Sequence, residues 1–243
     1  VAYDGAEYAG WQTQPGQPTV QQVLHEAWRQ VTGEAITLIG SGRTDSGVHA
    51  LGQVCSGETS SELPPDVLRR ALNACLPWDV RVLKVDEAAA GFHAQRDARR
   101  KTYRYQVQYG ANWHVLLRRH YWQVRGKLDV AAMRQAAEFL IGRHDFSSFQ
   151  AVGAERVSTI RTLDQLSVEE REVDGYDALW ISISSNGFLY NMVRIIVGSL
   201  VSIGKGKHSA AWLRDARDAR DRSRAGPTAP AHGLILLRVE YDD

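Results

Sequence analysis

The sequence predicts an α+β fold: two α/β lobes sharing a mixed, mostly antiparallel central sheet, with helices packed against it. Three observations predict it. Segments of helical period alternate with segments of strand period in both halves of the chain. Residues 159–168 and 179–184 alternate apolar and polar side chains and follow each other closely, as the arms of a hairpin do, which argues against a purely parallel sheet. The 243 residues, 44% hydrophobic and 23% charged, suit one large domain or two half-size lobes with a substantial core. The expected division is residues 1–110 as an N-terminal lobe and residues 111–243 as a C-terminal lobe.

In the first lobe, Thr19 with Gln22 forms a capping box that opens a helix at Val20. Val20, Val23, Leu24, Ala27, Trp28 and Val31 recur along one face, and Gly33 closes it. Residues 36–39 and 53–55 read as short strands on either side of the loop 40–50. Pro64, Pro65 and Asp66 start a second helix, with Val67, Leu68, Ala71, Leu72 and Cys75 on one face. Residues 80–85 and 102–109 read as strands. The second of these puts Tyr103, Tyr105, Val107 and Tyr109 on one side.

In the second lobe, residues 121–124 form a strand, and Asp129 caps a helix that carries Met133, Ala136, Ala137 and Leu140 to a stop at Gly142. After the hairpin, residues 192–203 are helical and residues 233–241 form a terminal strand. The run of alternating signs at residues 214–224 reads as an exposed helix end whose charges pair with one another.

Composition excludes several classes. No stretch approaches the roughly 20 apolar residues of a membrane span, and no signal peptide is visible. Cys55 and Cys75 form no CxxC and no zinc pattern, so the expected setting is reducing and cytoplasmic. The chain opens at Val1 without Met, so a few residues are expected to precede it. His25 and His93 lack partners at metal-ligand spacing, and no cofactor motif is present. The net charge of +1 means that any nucleic-acid surface must come from segregated charge. Local clusters exist at Arg96, Arg99, Arg100, Lys101 and Arg104, at Arg118, Arg119, Arg125 and Lys127, and at Lys205 and Lys207 in a glycine-rich turn.

The most informative stretch is Gly40-Ser41-Gly42-Arg43-Thr44-Asp45-Ser46-Gly47-Val48-His49-Ala50. Its glycines allow unusual backbone angles and close approach of a ligand. Arg43 would favour the ionised form of Asp45, as a nucleophile or base requires. An Asx turn is the other reading of Asp45, and spacing alone favours it. His49 reads as a packing or hydrogen-bonding histidine. Arg194, among apolar neighbours, either braces the fold or pairs with a site carboxylate. Tyr103, beside a basic cluster, is a candidate to stack on a base.

The ordered combination resembles the tRNA pseudouridine synthase A family nearly end to end. The matching stretches are Tyr3-Asp4-Gly5, Gly10-Trp11-Gln12, Thr19-Val20-Gln21, the loop from Gly42 to Ala50, Asn73 to Pro77, Phe92-His93-Ala94, Tyr103-Arg104-Tyr105, Asp145 to Phe149, Asn186 to Arg194, Ala225 to Pro230 and Gly233-Leu234. The resemblance implies the pseudouridine synthase fold. It implies Asp45 as the essential aspartate, Arg194 as the arginine paired with it, and Tyr103 as the active-site tyrosine under the target base. Arg43 becomes the arginine that helps to flip the uridine out, and Leu234 an apolar wall. Arg104 and Lys101 join the substrate-binding set. It further implies a homodimer acting on uridines of the tRNA anticodon stem–loop without cofactor or metal.

Two other readings have discriminating features. A non-catalytic tRNA-binding protein on the same fold would not need Asp45, Tyr103 and Arg194 together. A phosphate-handling enzyme would end its glycine-rich loop in Gly-Lys-Ser/Thr, which this loop lacks.

Overall fold

The computed structural model describes residues 1–153 and 158–242. In chain order the elements are β1 (Ala2–Tyr3), α1 (Val20–Thr32), β2 (Ile39–Gly40), β3 (His49–Ala50), β4 (Cys55–Ser56), α2 (Pro65–Cys75), β5 (Val80–Arg81), β6 (Arg100–Gly110), β7 (Trp122–Arg125), α3 (Val130–Glu138), β8 (Gly142–Asp145), β9 (Ile160–Val173), β10 (Tyr176–Ser185), α4 (Met192–Gly204), α5 (Ala210–Ala219) and β11 (Leu234–Glu240). The fold is α+β with a mixed, mostly antiparallel sheet.

The chain forms two compact units. One is Val1–Arg99 with the chain from Ile235 onward, and the other is Arg100–Leu234. The expected lobes divide after residue 110, which would place β6 with the first; as folded, β6 belongs to the second unit.

In the first unit, β1 pairs antiparallel with both β3 and β5, and β3 pairs parallel with β11. A separate antiparallel pair joins β2 to β4. Helix α1 starts as its sequence dictates: the Thr19 side chain accepts from the Gln22 amide, and Gly33 ends it at φ 78°. Two strands are shorter than their apolar runs suggest, because side chains take the backbone hydrogen bonds. The Leu38 amide donates to His25 Nε2, and Gln21 Nε2 donates to the Leu38 carbonyl, so a strand begins only at Ile39. Likewise both amide atoms of Asn73 bind the backbone of Val82, and β5 stops at Arg81.

In the second unit, β6 pairs antiparallel with β10 and parallel with β7, β10 pairs with β9, and β9 pairs with β8, the last two antiparallel. The β9–β10 hairpin turns at Asp174 and Gly175, both at positive φ. Its inward side chains, including Leu166, Val168, Leu179, Ile181 and Ile183, are buried. Helix α4 is buried on nearly every side, which explains its lack of charged residues beyond Arg194. Gly198 and Gly226 let the segment around Pro227 lie against α4: a Cβ on Gly198 would fall 1.8 Å from the Pro227 carbonyl oxygen. In the charged run, Arg214 pairs with Asp215 and Arg217 with Asp218, while Leu213 and Ala216 face inward. Among the described residues, no helix is long and apolar enough to cross a membrane.

Candidate active site

In the first unit, Asp45 is half-buried and Arg43 exposed on the loop between β2 and β3. The Val48 amide donates to the Asp45 carbonyl at 3.1 Å, and Gly47 takes φ 77°, so the carboxylate sits on a tight turn. Among the described residues, Arg43 has no ion-pair partner, which leaves its guanidinium available two positions from the carboxylate.

Residues outside the loop hold this turn from two sides. Behind it lies Gln53, 1% exposed. Its Oε1 accepts from Ser41 Oγ at 2.7 Å and from the Val54 amide at 3.1 Å. Its Nε2 donates to the Gly42 carbonyl at 2.9 Å and reaches the Tyr3 hydroxyl at 3.5 Å. Tyr3 in turn shares a 2.8 Å hydrogen bond with Thr44 Oγ1. Burial pushes the Tyr3 phenol up to about 12, against the pull of its bonds to Thr44 and Gln53.

In front of the turn runs the segment from Asp4 to Trp11. The Tyr8 carbonyl accepts from both the Gly47 amide and Ser46 Oγ, at 3.3 and 3.2 Å. The Trp11 amide donates to the Thr44 carbonyl at 3.1 Å. This approach requires glycine. A Cβ on Gly5 would lie 2.0 Å from the Val48 carbonyl oxygen, and one on Gly10, at φ 93°, 2.6 Å from that of Thr44. His49 is buried, with Nδ1 2.9 Å from Asp4 Oδ1 and 3.0 Å from the Gly5 amide nitrogen. Protonated at Nδ1 it serves the carboxylate; unprotonated there it accepts from Gly5. Its hydrogen-bonding role is the one read from the sequence.

In the second unit, Tyr103 is buried on β6, and its ring meets Phe188 edge-on with centroids 5.1 Å apart. Lys101 shares the odd-numbered face of β6 with Tyr103 and lies opposite Ser185. Arg104 points to the other face, where its guanidinium lies over the Trp180 ring, 4.1 Å from the centroid. Burial lowers its pKa. The strand therefore separates Arg104 from Tyr103, a consequence of period-two geometry that a list of neighbouring basic residues conceals.

Arg194 lies in the first turn of α4. Its Nε donates to the Ala229 carbonyl at 2.7 Å, and Nη1 donates to Asn191 Oδ1 at 2.6 Å. The Ala229 amide returns a bond to the Arg194 carbonyl. These contacts fix the guanidinium and brace the segment 225–230 against α4. Tyr105 donates to the Pro230 carbonyl at 2.7 Å on the same segment, and burial raises its pKa, opposed by the field of Arg194. Leu234, 5% exposed, begins β11.

Reading the sequence missed the residues that hold the site: Gln53, Tyr3, Thr44, Tyr8, Asn191 and the Ala229 carbonyl. Tyr3, Thr44, Asn191 and Ala229 lie in the matching stretches, but Gln53 and Tyr8 do not, and nothing in local spacing distinguishes any of them.

A profile described as tRNA pseudouridine synthase matches residues 1–95 and 136–242. A tRNA pseudouridine synthase A from Thermoanaerobacter sp. (strain X514) is 44% identical over 241 residues, covering 99% of this chain and 97% of that protein. One from Brevibacillus brevis is 46% identical, with the same coverage. One from Halalkalibacterium halodurans is 47% identical over 239 residues, 98% of this chain and 89% of that protein. The chain belongs to the tRNA pseudouridine synthase family. It is an isomerase whose substrate is uridine in tRNA.

Proposed function

We propose that Asp45 is the carboxylate that carries the isomerisation, on uridines of the anticodon stem–loop. The observation that supports this reading most is the treatment of its turn. A half-buried aspartate is held on a loop whose flanking groups are fixed by Gln53, Tyr3, Tyr8 and Trp11. A solvated Asx turn needs no such support, whereas preorganised chemistry does.

The reaction breaks the N1–C1′ bond, turns the uracil and joins C5 to C1′. The C5 proton is lost and N1 gains one, so the change is an isomerisation without redox balance to supply. An ionised Asp45 starts it, by attack or by taking a ribose proton that later returns. The base must leave its stack to be reached. Arg43, exposed on the same loop, is assigned to that displacement. Tyr103 is assigned to the face of the flipped base, Leu234 to an apolar wall, and Arg194 to maintaining the site's charge balance. Lys101 and Arg104 complete the RNA-binding set, with Arg104 acting from the opposite face of β6. The roles of Asp45, Arg43, Tyr103, Arg194 and Leu234 rest on the family resemblance, and those of Lys101 and Arg104 on their place in the basic cluster around Tyr103. A homodimer in the cytoplasm, gripping one tRNA by shape and phosphate contacts, belongs to the same reading.

The test is to map pseudouridines in tRNA from a strain lacking this protein. Loss confined to anticodon stem–loop uridines, restored by the wild-type chain but not by Asp45→Asn, is the expected result. An unchanged anticodon stem–loop would refute the assignment of that region.

A further inference from the structure

Many arginines of this nearly neutral chain are committed to carboxylates. Arg99 pairs with Asp242, Arg100 with Asp164, Arg134 with Glu170, and Arg220 with Asp145. Three lysines of the second unit differ. Lys127, Lys205 and Lys207 are exposed, and among the described residues their ammonium groups have no hydrogen-bond or ion-pair partner.

The fold brings them together. The Asp129 amide donates to the Gly204 carbonyl at 2.8 Å, which seats the link between β7 and α3 against the end of α4. Gly204 permits the contact, since a Cβ there would lie 2.6 Å from Met133 Sδ and 3.3 Å from Leu128 Cδ2. The turn that follows is fixed by its backbone: the Lys205 amide bonds to Val201, Gly206 to Ile203 and Lys207 to Ser202. Gly206 adopts φ 71°. Beside the turn, His208 stacks on Trp212 with centroids 3.9 Å apart and planes 9° from parallel. The nearby carboxylate of Asp129 is engaged in capping α3 through the Ala132 amide. Lysines at a helix C-terminus also complement its dipole. That accounts for Lys205 and Lys207, but not for Lys127, which comes from a different element.

We propose that Lys127, the Lys205–Lys207 turn and the adjoining His208–Trp212 stack dock the sugar–phosphate backbone of the tRNA substrate. Unpaired ammonium groups on a fixed turn suit a polyanion, because each neutralised phosphate releases condensed counterions. The aromatic pair offers a π-face at the edge of the patch. The inference rests on tRNA being the substrate.

The test is a binding titration of an in vitro tRNA transcript across salt concentrations, with the triple variant Lys127→Gln, Lys205→Gln, Lys207→Gln. All three positions are exposed, so thermal unfolding should match the wild type. Affinity should fall at least about tenfold near ~0.1 M salt, and the slope of log Kd against log salt should flatten by about 2 to 3. Turnover at saturating tRNA should stay unchanged, and the triple Lys→Arg variant should bind as the wild type does. Wild-type affinity and slope in the glutamine variant would overturn the proposal. So would an equal flattening on neutralising Arg29 and Arg70, exposed on α1 and α2, because binding would then follow net charge alone. Failure of the wild-type enzyme to form pseudouridine would instead count against the function, and it is read in a separate assay.

Discussion

The turn that carries Asp45 is held by side chains from outside its loop, and Gln53 is the one that makes the most contacts. Replacing it with leucine leaves the Gly42 carbonyl and the Val54 amide without the side-chain partner that Gln53 gives them. Each orphaned group costs about 1–3 kcal/mol. Gln53→Leu should therefore lose about 2–6 kcal/mol of stability in urea unfolding. It should also lose most of kcat at temperatures where it remains folded; intact kcat would show that the network does not position the loop. Tyr3 gives a pH signature. Its folded pKa is raised by burial to about 12, so its contribution to stability is complete below its ordinary value near ~10. Stability should then fall between those two values, as the unfolded chain ionises first. Tyr3→Phe should flatten the alkaline decline, and an unchanged slope would contradict this account. Asp45 and Arg43 were legible as a pair in the sequence, since they are two residues apart in a glycine-rich loop. Gln53 was not, because its partners at Tyr3 and Gly42 are chosen by the fold.

At the scale of elements, the decisive contacts are between backbones. Gly10 lets the N-terminal segment reach the Asp45 turn, with φ 93° and a virtual Cβ 2.6 Å from the Thr44 carbonyl oxygen. Gly10→Ala should displace that turn and reduce kcat at least about tenfold, equivalent to roughly 1.4 kcal/mol. A steady-state assay with wild-type turnover would remove the segment from any positioning role. Long elements were readable from periodicity: the expected helix 192–203 is α4, Met192–Gly204, and the expected hairpin is β9 and β10. Two-residue strands such as β1 and β3 carry no period to read. The strand ends at residues 38 and 82 were set by His25, Gln21 and Asn73, side chains that compete for backbone hydrogen bonds.

For the whole molecule, charge has to be judged after pairing. A net charge of +1 hides an uneven distribution. Arginines on α5 are neutralised by adjacent aspartates, whereas the lysines beside the end of α4 are not. The alternating signs at 214–224 already read as self-paired in the sequence, whereas Lys127 could not be joined to Lys205 and Lys207, because the contact between Asp129 and Gly204 is a property of the folded chain. The proposed homodimer is a claim at this scale too. Light scattering at micromolar concentration should give twice the 27.1 kDa chain mass; the mass of one chain would reject that assembly.

The central claim is that Asp45 carries the reaction. The most direct measurement is tritium release from tRNA labelled at C5 of uridine, comparing the wild type with Asp45→Asn, together with tRNA binding by each. The account predicts that the variant binds tRNA and releases no tritium. Release at the wild-type rate by a folded, tRNA-binding Asp45→Asn variant would contradict it.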